Sequence, residues 1–333
     1  MEQLSPSQQL VRLALSFIPA RAIYVAAKYR LVDVIGGGQK SVGDLAAETG
    51  LNAEALGRIC RLLASIGVLE ETDDNAFRIT EVAQPLSSND GSSLRDYIML
   101  HHELVYKAFE HIAHTVETGT PSWAHAFGKP IFESIQADPN IASLFHAGLR
   151  SRAGAEIPAL LKAFDFSNAK HVTDVGGGNG NLLSAILSSH PHLNGTLFDV
   201  EPAIEAAKAG KGGPLPRCEL TVGNFFESVP KGADVYIMKF VLHDWSDDDA
   251  VTILQNCRAA MSPTSKLWVI EGVMSDKNLL TNTNYVDLNM MVSLGGQERS
   301  RREYSELFSI ANLQLTEVIP TSLDPSILVG VPC

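Results

Sequence analysis

The spacing of apolar residues divides the chain into regimes. Leu10, Leu13, Phe17 and Ile18 recur at helical intervals within residues 10–27, predicting a helical stripe that packs on a partner chain. From Ser41 the pattern is helix, turn, helix. Ser41 caps a segment through Leu45 and Ala46, Gly50 stops it, and residues 52–66 carry a second apolar face ended by Gly67. Residues 68–71 and 76–80 read as two short strands about an Asp73-Asp74-Asn75 turn, which completes a winged-helix unit. Residues 94–164 are mostly helical, interrupted at Gly119-Thr120-Pro121. Their aromatics (Tyr97, Tyr106, Phe109, Trp123, Phe127, Phe132, Phe145) suit either plain core or the wall of an apolar pocket.

After Lys170 the period changes. Strand-like runs at 171–176, 195–200, 219–223, 235–240 and 266–271 alternate with helix-length segments, the signature of a parallel sheet wrapped by helices. Residues 314–320 and 327–331, joined by a short Ser/Asp/Pro link, close the chain as an antiparallel hairpin. The expected architecture is α/β: a doubly wound, mostly parallel sheet with an antiparallel C-terminal hairpin, preceded by a mainly helical domain. The expected divisions are 1–95 for the helical and winged-helix domain, 96–168 for a helical linker and substrate-pocket region, and 169–333 for the sheet domain.

Charge narrows the partners. The 333 residues carry 38 acidic and 26 basic side chains, a formal charge of −12 that disfavours nucleic acid and acidic membrane surfaces. Within the winged-helix segment, residues 41–90, nine acidic residues stand against Arg58, Arg61 and Arg78, so dimerisation or packing suits it better than phosphate binding. Residues 10–27 are broken by Arg12, Pro19 and Arg21 and do not read as a membrane span, and the basic start of a signal peptide is missing. The four cysteines form no CxxC pair, which suits a reducing cytoplasm and indicates neither a zinc site nor a disulfide framework.

The chemistry concentrates after the first strand of the sheet. Asp-Val-Gly-Gly-Gly-Asn-Gly at 174–180 is a glycine-rich turn that lets a ligand approach the backbone, and Asp199, ending the next strand, can take two hydrogen bonds from a ribose diol. A nucleoside is thereby indicated. The dinucleotide pattern is incomplete, because Asn181 stands where its third glycine belongs.

Six ordered blocks now resemble one family. They are residues 174–180, Phe198-Asp199, residues 223–226 (Gly-Asn-Phe-Phe), residues 238–245 (Met-Lys-Phe-Val-Leu-His-Asp-Trp), Glu271, and residues 295–299 (Gly-Gly-Gln-Glu-Arg). In order and spacing they are similar to the S-adenosylmethionine-dependent small-molecule O-methyltransferases of the caffeic acid and hydroxyindole type, and the winged-helix N-terminus extends the similarity over nearly the whole chain. The resemblance implies a Rossmann-like catalytic domain that binds S-adenosylmethionine and releases S-adenosylhomocysteine, with no metal. It implies that Gly176 approaches the methionine part, Asp199 holds the ribose, Asn224 and Phe225 border the adenine, Lys239 lies beside the cofactor, and Trp245 lies near the adenine. His243 would be the general base, flanked by Glu271 and Glu298. Where this chain has Asn224 many relatives carry aspartate, so one charge near the adenine is missing.

The residue types suit that chemistry. A phenol of pKa near 10 is only ~0.1% ionised at pH 7, and displacement at a methyl group wants the oxyanion. A histidine titrating near neutrality is the natural proton acceptor, and a carboxylate can fix its tautomer. Substrate-facing positions implied by the resemblance are Phe145, Leu149, Met290 and Met291, with His101 and His102 as additions; ordinary core packing accounts for them equally well. Arg150 and Arg152 either bind the cofactor carboxylate or are simply solvated. His111 and His114, like His101 and His102, lack acidic or cysteine partners at ligand spacing and are read as pocket rim.

The expected protein is a cytoplasmic homodimer with exchanged N-terminal helices, methylating a hydroxyl on a small aromatic metabolite. Carbon or nitrogen methylation, or a lyase or pericyclic reaction on the same scaffold, stays open, as does a winged-helix ligand-sensing regulator. A nicotinamide oxidoreductase is disfavoured by Asn181.

Overall fold

A computed structural model describes residues 4–72, 76–88, 93–209, 217–277 and 279–333. The turn expected at 73–75 lies outside the described residues. The chain forms two compact units, residues 1–107 with 135–155 and residues 108–134 with 156–333.

In the first unit the N-terminal apolar segment is two helices rather than one continuous stripe, Pro6–Ala14 and Phe17–Lys28. The break at Leu15-Ser16 puts Pro19 in the first turn of the second helix, where its missing N–H leaves no bond unmade. Ser5 and Gln8 form a reciprocal capping box on the first helix, which buries none of its residues. Leu10, Leu13, Phe17 and Ile18 are all exposed. The stretch Pro6–Lys28, 23 residues, is long and apolar enough to cross a membrane by length and composition alone, more than the broken run at 10–27 suggests.

The winged-helix segment follows its caps. Ser41 Oγ accepts from Asp44 N ahead of helix Val42–Thr49, Gly50 ends that helix in the left-handed region, and Asn52 caps Ala53–Ser65. Strands β1 (Lys40–Ser41), β2 (Leu69–Glu71) and β3 (Ala76–Ile79) pair antiparallel in the order β1-β3-β2. Two residues are too few to show a period, so β1 has no sequence signal. Leu31, Leu45, Leu56, Leu63 and Phe77 form the core of this unit.

The second unit is built on a seven-stranded sheet of β4 (His171–Val175), β5 (Asn194–Asp199), β6 (Cys218–Val222), β7 (Val235–Lys239), β8 (Lys266–Glu271), β11 (Leu313–Pro320) and β12 (Ser326–Pro332). Two-residue strands β9 (Val273–Met274) and β10 (Arg299–Ser300) pair separately and in parallel. The sheet order is β11-β12-β8-β7-β4-β5-β6. All pairs are parallel except those of β12, which runs antiparallel to β8 and β11 as the terminal hairpin requires.

Alternation along each strand feeds a core on both faces. Tyr236, Met238, Leu267 and Val269 enter one cluster with Leu254 and Phe308, while Val235, Ile237, Trp268 and Ile270 enter another with Leu183 and Ile186. The strand order reverses at β4, which lies between β5 and β7. The crevice beyond the carboxyl ends of β4 and β7 is therefore where a ligand binds in such a sheet.

Phe308 is fully buried beneath Gly330, where a Cβ would lie 2.5 Å from the ring. Phe308→Ala should cost about 3–5 kcal/mol, read as a lower urea midpoint with an unchanged slope.

Candidate active site

Two loops at the β4–β7 reversal carry the site. The first follows β4. Gly176, Gly178 and Gly180 all have positive φ (69°, 58° and 75°), a path open to glycine, and Gly180 starts helix Asn181–Ser189. A Cβ at Gly176 would lie 3.0 Å from Val241 Cγ2 and 3.5 Å from Phe225 Cε1. Asp199 faces this loop: Oδ2 accepts from Gly178 N at 2.7 Å and Oδ1 from Val200 N at 2.7 Å. Each oxygen keeps a lone-pair direction for a further donor.

Behind the loop Asp174 is buried, and its Oδ2 has no hydrogen-bond partner among the described residues. Burial, and then the nearby Asp199 carboxylate, push its pKa up to about 7 against the pull of Lys239. Lys239, at the end of β7, makes a 2.7 Å ion pair with Glu156, a partner that nothing in its sequence neighbourhood signals.

Asn224 spends its side chain locally, Oδ1 accepting from Phe226 N at 3.0 Å and Nδ2 donating to Glu227 at 3.2 Å. Phe225 and Phe226 pack edge-on to Trp245, with ring centroids 6.1 and 4.7 Å away.

The second loop follows β7. Phe240 has φ 54°, a left-handed conformation unusual for a bulky residue, and its ring stacks on His243 at 5.3 Å. His243 sits on the short 3-10 turn Leu242–Asp244 and is buried. Its Nδ1 lies 2.7 Å from Glu298 Oε1 and 3.5 Å from Glu271 Oε2.

Glu271, with no exposed surface, uses Oε1 to accept the backbone N–H groups of Val241, Leu242 and His243 at 3.0, 2.9 and 3.4 Å. Burial raises its pKa, with the neighbouring Glu298 adding to the effect. Glu298 is delivered just ahead of β10, and its own N–H is held by Asp287 Oδ1 at 2.9 Å.

With Nδ1 committed to a carboxylate, Nε2 is the ring nitrogen left for another partner. Asp244 Oδ1 lies 3.4 Å from that nitrogen, and burial raises its pKa to about 6. Asp244 thus separates from the acidic helix start with which its sequence groups it. Asp247, Asp248 and Asp249 do form that start, capped by Ser246.

The remaining positions are carried by helices. Met290, buried, and Met291 are on helix Asn282–Ser293, which already contains Asp287. Phe145 and the exposed Leu149 are on helix Pro139–Ala163, within the first unit. In that unit Arg152 lies over the Tyr97 ring at 5.7 Å, and burial lowers the pKa of His101 to about 4. His111 and His114 pack around His125 with ring centroids 4.7 and 4.6 Å apart.

Asp174 gives a pH test with a definite sign. Its raised folded-state pKa makes a stabilising contribution that is complete below the ordinary carboxylate range near 4 and is lost as pH rises through about 7. Melting temperatures of the cofactor-free protein should therefore show Asp174→Asn gaining on the wild type steadily from pH 4 to pH 7. A constant difference over that range would mean that the ionised form is compensated.

Comparison with known proteins identifies the family. The sequence matches the O-methyltransferase domain over residues 109–314 and the O-methyltransferase dimerisation domain over residues 11–89. A phenazine O-methyltransferase of Lysobacter antibioticus, PhzM, is 36% identical over 328 residues, 98% of this chain and 96% of that protein. An aclacinomycin 10-hydroxylase of Streptomyces purpurascens, RdmB, is 34% identical over 329 residues, 94% of this chain and 87% of that one. Among solved structures, CalO1, a methyltransferase of calicheamicin biosynthesis in its S-adenosylhomocysteine-bound form, superposes with a TM-score of 0.91 at 32% identity, covering 100% of both chains. The chain belongs to the S-adenosylmethionine-dependent O-methyltransferase family.

Proposed function

We propose that this enzyme methylates a hydroxyl on a small, flat aromatic metabolite, with His243 as general base and no metal. The hydrogen bond from His243 Nδ1 to Glu298 carries the reading, because it leaves Nε2 to take the acceptor's proton. Asp244 beside Nε2 stabilises the imidazolium that results. The 10²–10⁴-fold effect typical of general-base help is the contribution asked of this group.

The cofactor loop fits its ligand on its own terms. Asp199 offers two oxygens to a diol, Gly176 leaves the space a Cβ would fill, and Phe225 with Trp245 gives an apolar wall for a base beside Asn224. Lys239, paired with Glu156, flanks the same loop. Bound S-adenosylmethionine supplies an electrophilic sulfonium methyl group. His243, Glu271 and Glu298 bring ligand atoms within 4.8 Å of one another, a spacing that also suits a divalent cation. The hydrogen bonds already made to Oε1 of each glutamate favour acid–base work instead.

The exposed apolar face of residues 6–28 supports a homodimer with exchanged N-terminal helices, in which a second copy rather than a membrane covers Leu10, Leu13 and Phe17. Four free cysteines, two of them buried, support a cytoplasmic enzyme. The proposed division of labour is dimerisation in residues 1–95, acceptor binding in 96–168 and cofactor binding with catalysis in 169–333. The phenazine acceptor in the name of one relative and the apolar character of Phe145, Leu149, Met290 and Met291 support an aromatic acceptor.

A second reading comes from the 34%-identical relative named as a hydroxylase: this scaffold also serves a reaction other than O-methylation. Product analysis separates the two, since methylation forms one S-adenosylhomocysteine for each acceptor consumed.

Calorimetry should give micromolar binding of S-adenosylmethionine and its demethylated product, and no binding would sink the cofactor assignment. His243→Ala should lower turnover by about 10² or more with cofactor affinity little changed. Asp199→Ala should weaken cofactor binding by about tenfold or more while sparing turnover at saturation. Full activity of His243→Ala between pH 6 and 9 would refute the base assignment. Size-exclusion chromatography at micromolar concentration should show a dimer, and a monomer would refute the exchange.

A further inference from the structure

One buried cation grips the turn that carries His243. Arg299 is 1% exposed. Its Nη1 donates to the carbonyl of Leu242 at 3.0 Å, its Nη2 to the carbonyl of Trp245 at 2.8 Å, and its Nε to the carboxylate of Asp247 at 2.8 Å. The two carbonyls bracket His243 and Asp244, so one rigid fork spans the turn. On the amide side of the same turn stands Glu271, accepting three N–H groups.

The segment before β10 is pressed against this turn. Gln297 N donates to the carbonyl of His243 at 2.9 Å, and its side chain donates to Asp247 at 3.0 Å. A Cβ at Gly296 would overlap the carbonyl oxygen of His243, so glycine alone permits the approach. Consecutive residues then divide the labour: Glu298 reaches the imidazole and Arg299 reaches the main chain that carries it.

We propose that Arg299 is a positioning residue for methyl transfer. By fixing the carbonyls of Leu242 and Trp245 it holds the His243 ring at hydrogen-bond distance from Glu298. The proposal rests on His243 being the general base. Burying a guanidinium is costly unless its donors are satisfied. Here each of its three nitrogens has an acceptor, and two of those acceptors are main-chain oxygens of this one turn.

Proton NMR of the full-length protein tests this without an acceptor. The buried Nδ1–H to Glu298 bond should give a downfield imidazole resonance, assigned by its loss in His243→Ala. Arg299→Met removes all three bonds. Arg299→Lys keeps the charge but cannot bridge both carbonyls, and it serves if the methionine variant does not fold. Melting curves confirm folding, and methyl transfer to 1-hydroxyphenazine is measured in parallel.

The expected result is a folded variant whose resonance is lost or displaced and whose turnover falls by about 10–100-fold. A folded variant with resonance and turnover both unchanged overturns the proposal, even if His243→Ala is inactive. Full turnover in His243→Ala overturns the base reading itself and the proposal with it.

Discussion

Three successive backbone N–H groups, of Val241, Leu242 and His243, converge on one oxygen of Glu271, a carboxylate with no exposed surface. A buried carboxylate is expensive unless donors surround it, and N–H groups leaving a strand end need acceptors that no ladder supplies. Each requirement answers the other. The pairing fixes the chain where β7 ends, and with it the direction in which the His243 ring leaves the sheet. The left-handed Phe240 just upstream is the local strain that this arrangement sustains.

Around that anchor the structure gathers an unusual density of ionisable groups. Asp244, Glu271 and Glu298 surround one histidine, and Tyr304 is buried beside the glutamates, with its pKa raised well above the ordinary value by burial and by their charges. Such a cluster is poor material for a core, where apolar residues of the same volume would do as well or better. Its place at the carboxyl edge of a parallel sheet, where the strand order reverses, makes sense of it as chemistry. The glycine-rich loop follows β4 on the same edge, so Asp199, at the end of β5, and His243, just after β7, stand on either side of it in one sheet.

Relatives carry both methyltransferase and hydroxylase names on this scaffold. The glycine-rich loop and the histidine turn belong to the sheet, whereas Met290 and Met291, proposed to face the acceptor, lie on helix Asn282–Ser293. Function within the family therefore turns on features that the sheet does not dictate.

Much of this was legible in the residues themselves. Strand-like runs alternating with helix-length segments located the seven main strands to within a residue or two, and the cap at Ser41 was legible because capping is local. The ordered motifs also marked His243, Glu271 and Glu298. What eluded the sequence was non-local. β1 is two residues long, and the helix break at Leu15-Ser16 depends on where Pro19 can be tolerated.

The pairing of Lys239 with Glu156 spans 83 positions, and nothing along the chain joins them. Asp244 reads as one more acid before a helix, yet tertiary burial sets it apart from Asp247, Asp248 and Asp249. Arg299 stood within a recognised motif without a role, because its hydrogen bonds go to backbone oxygens more than fifty residues away. Periodicity and side-chain chemistry determine which elements form and which groups can react. Only the tertiary structure decides which buried charges face one another, because that depends on the distances between segments that the sequence leaves far apart.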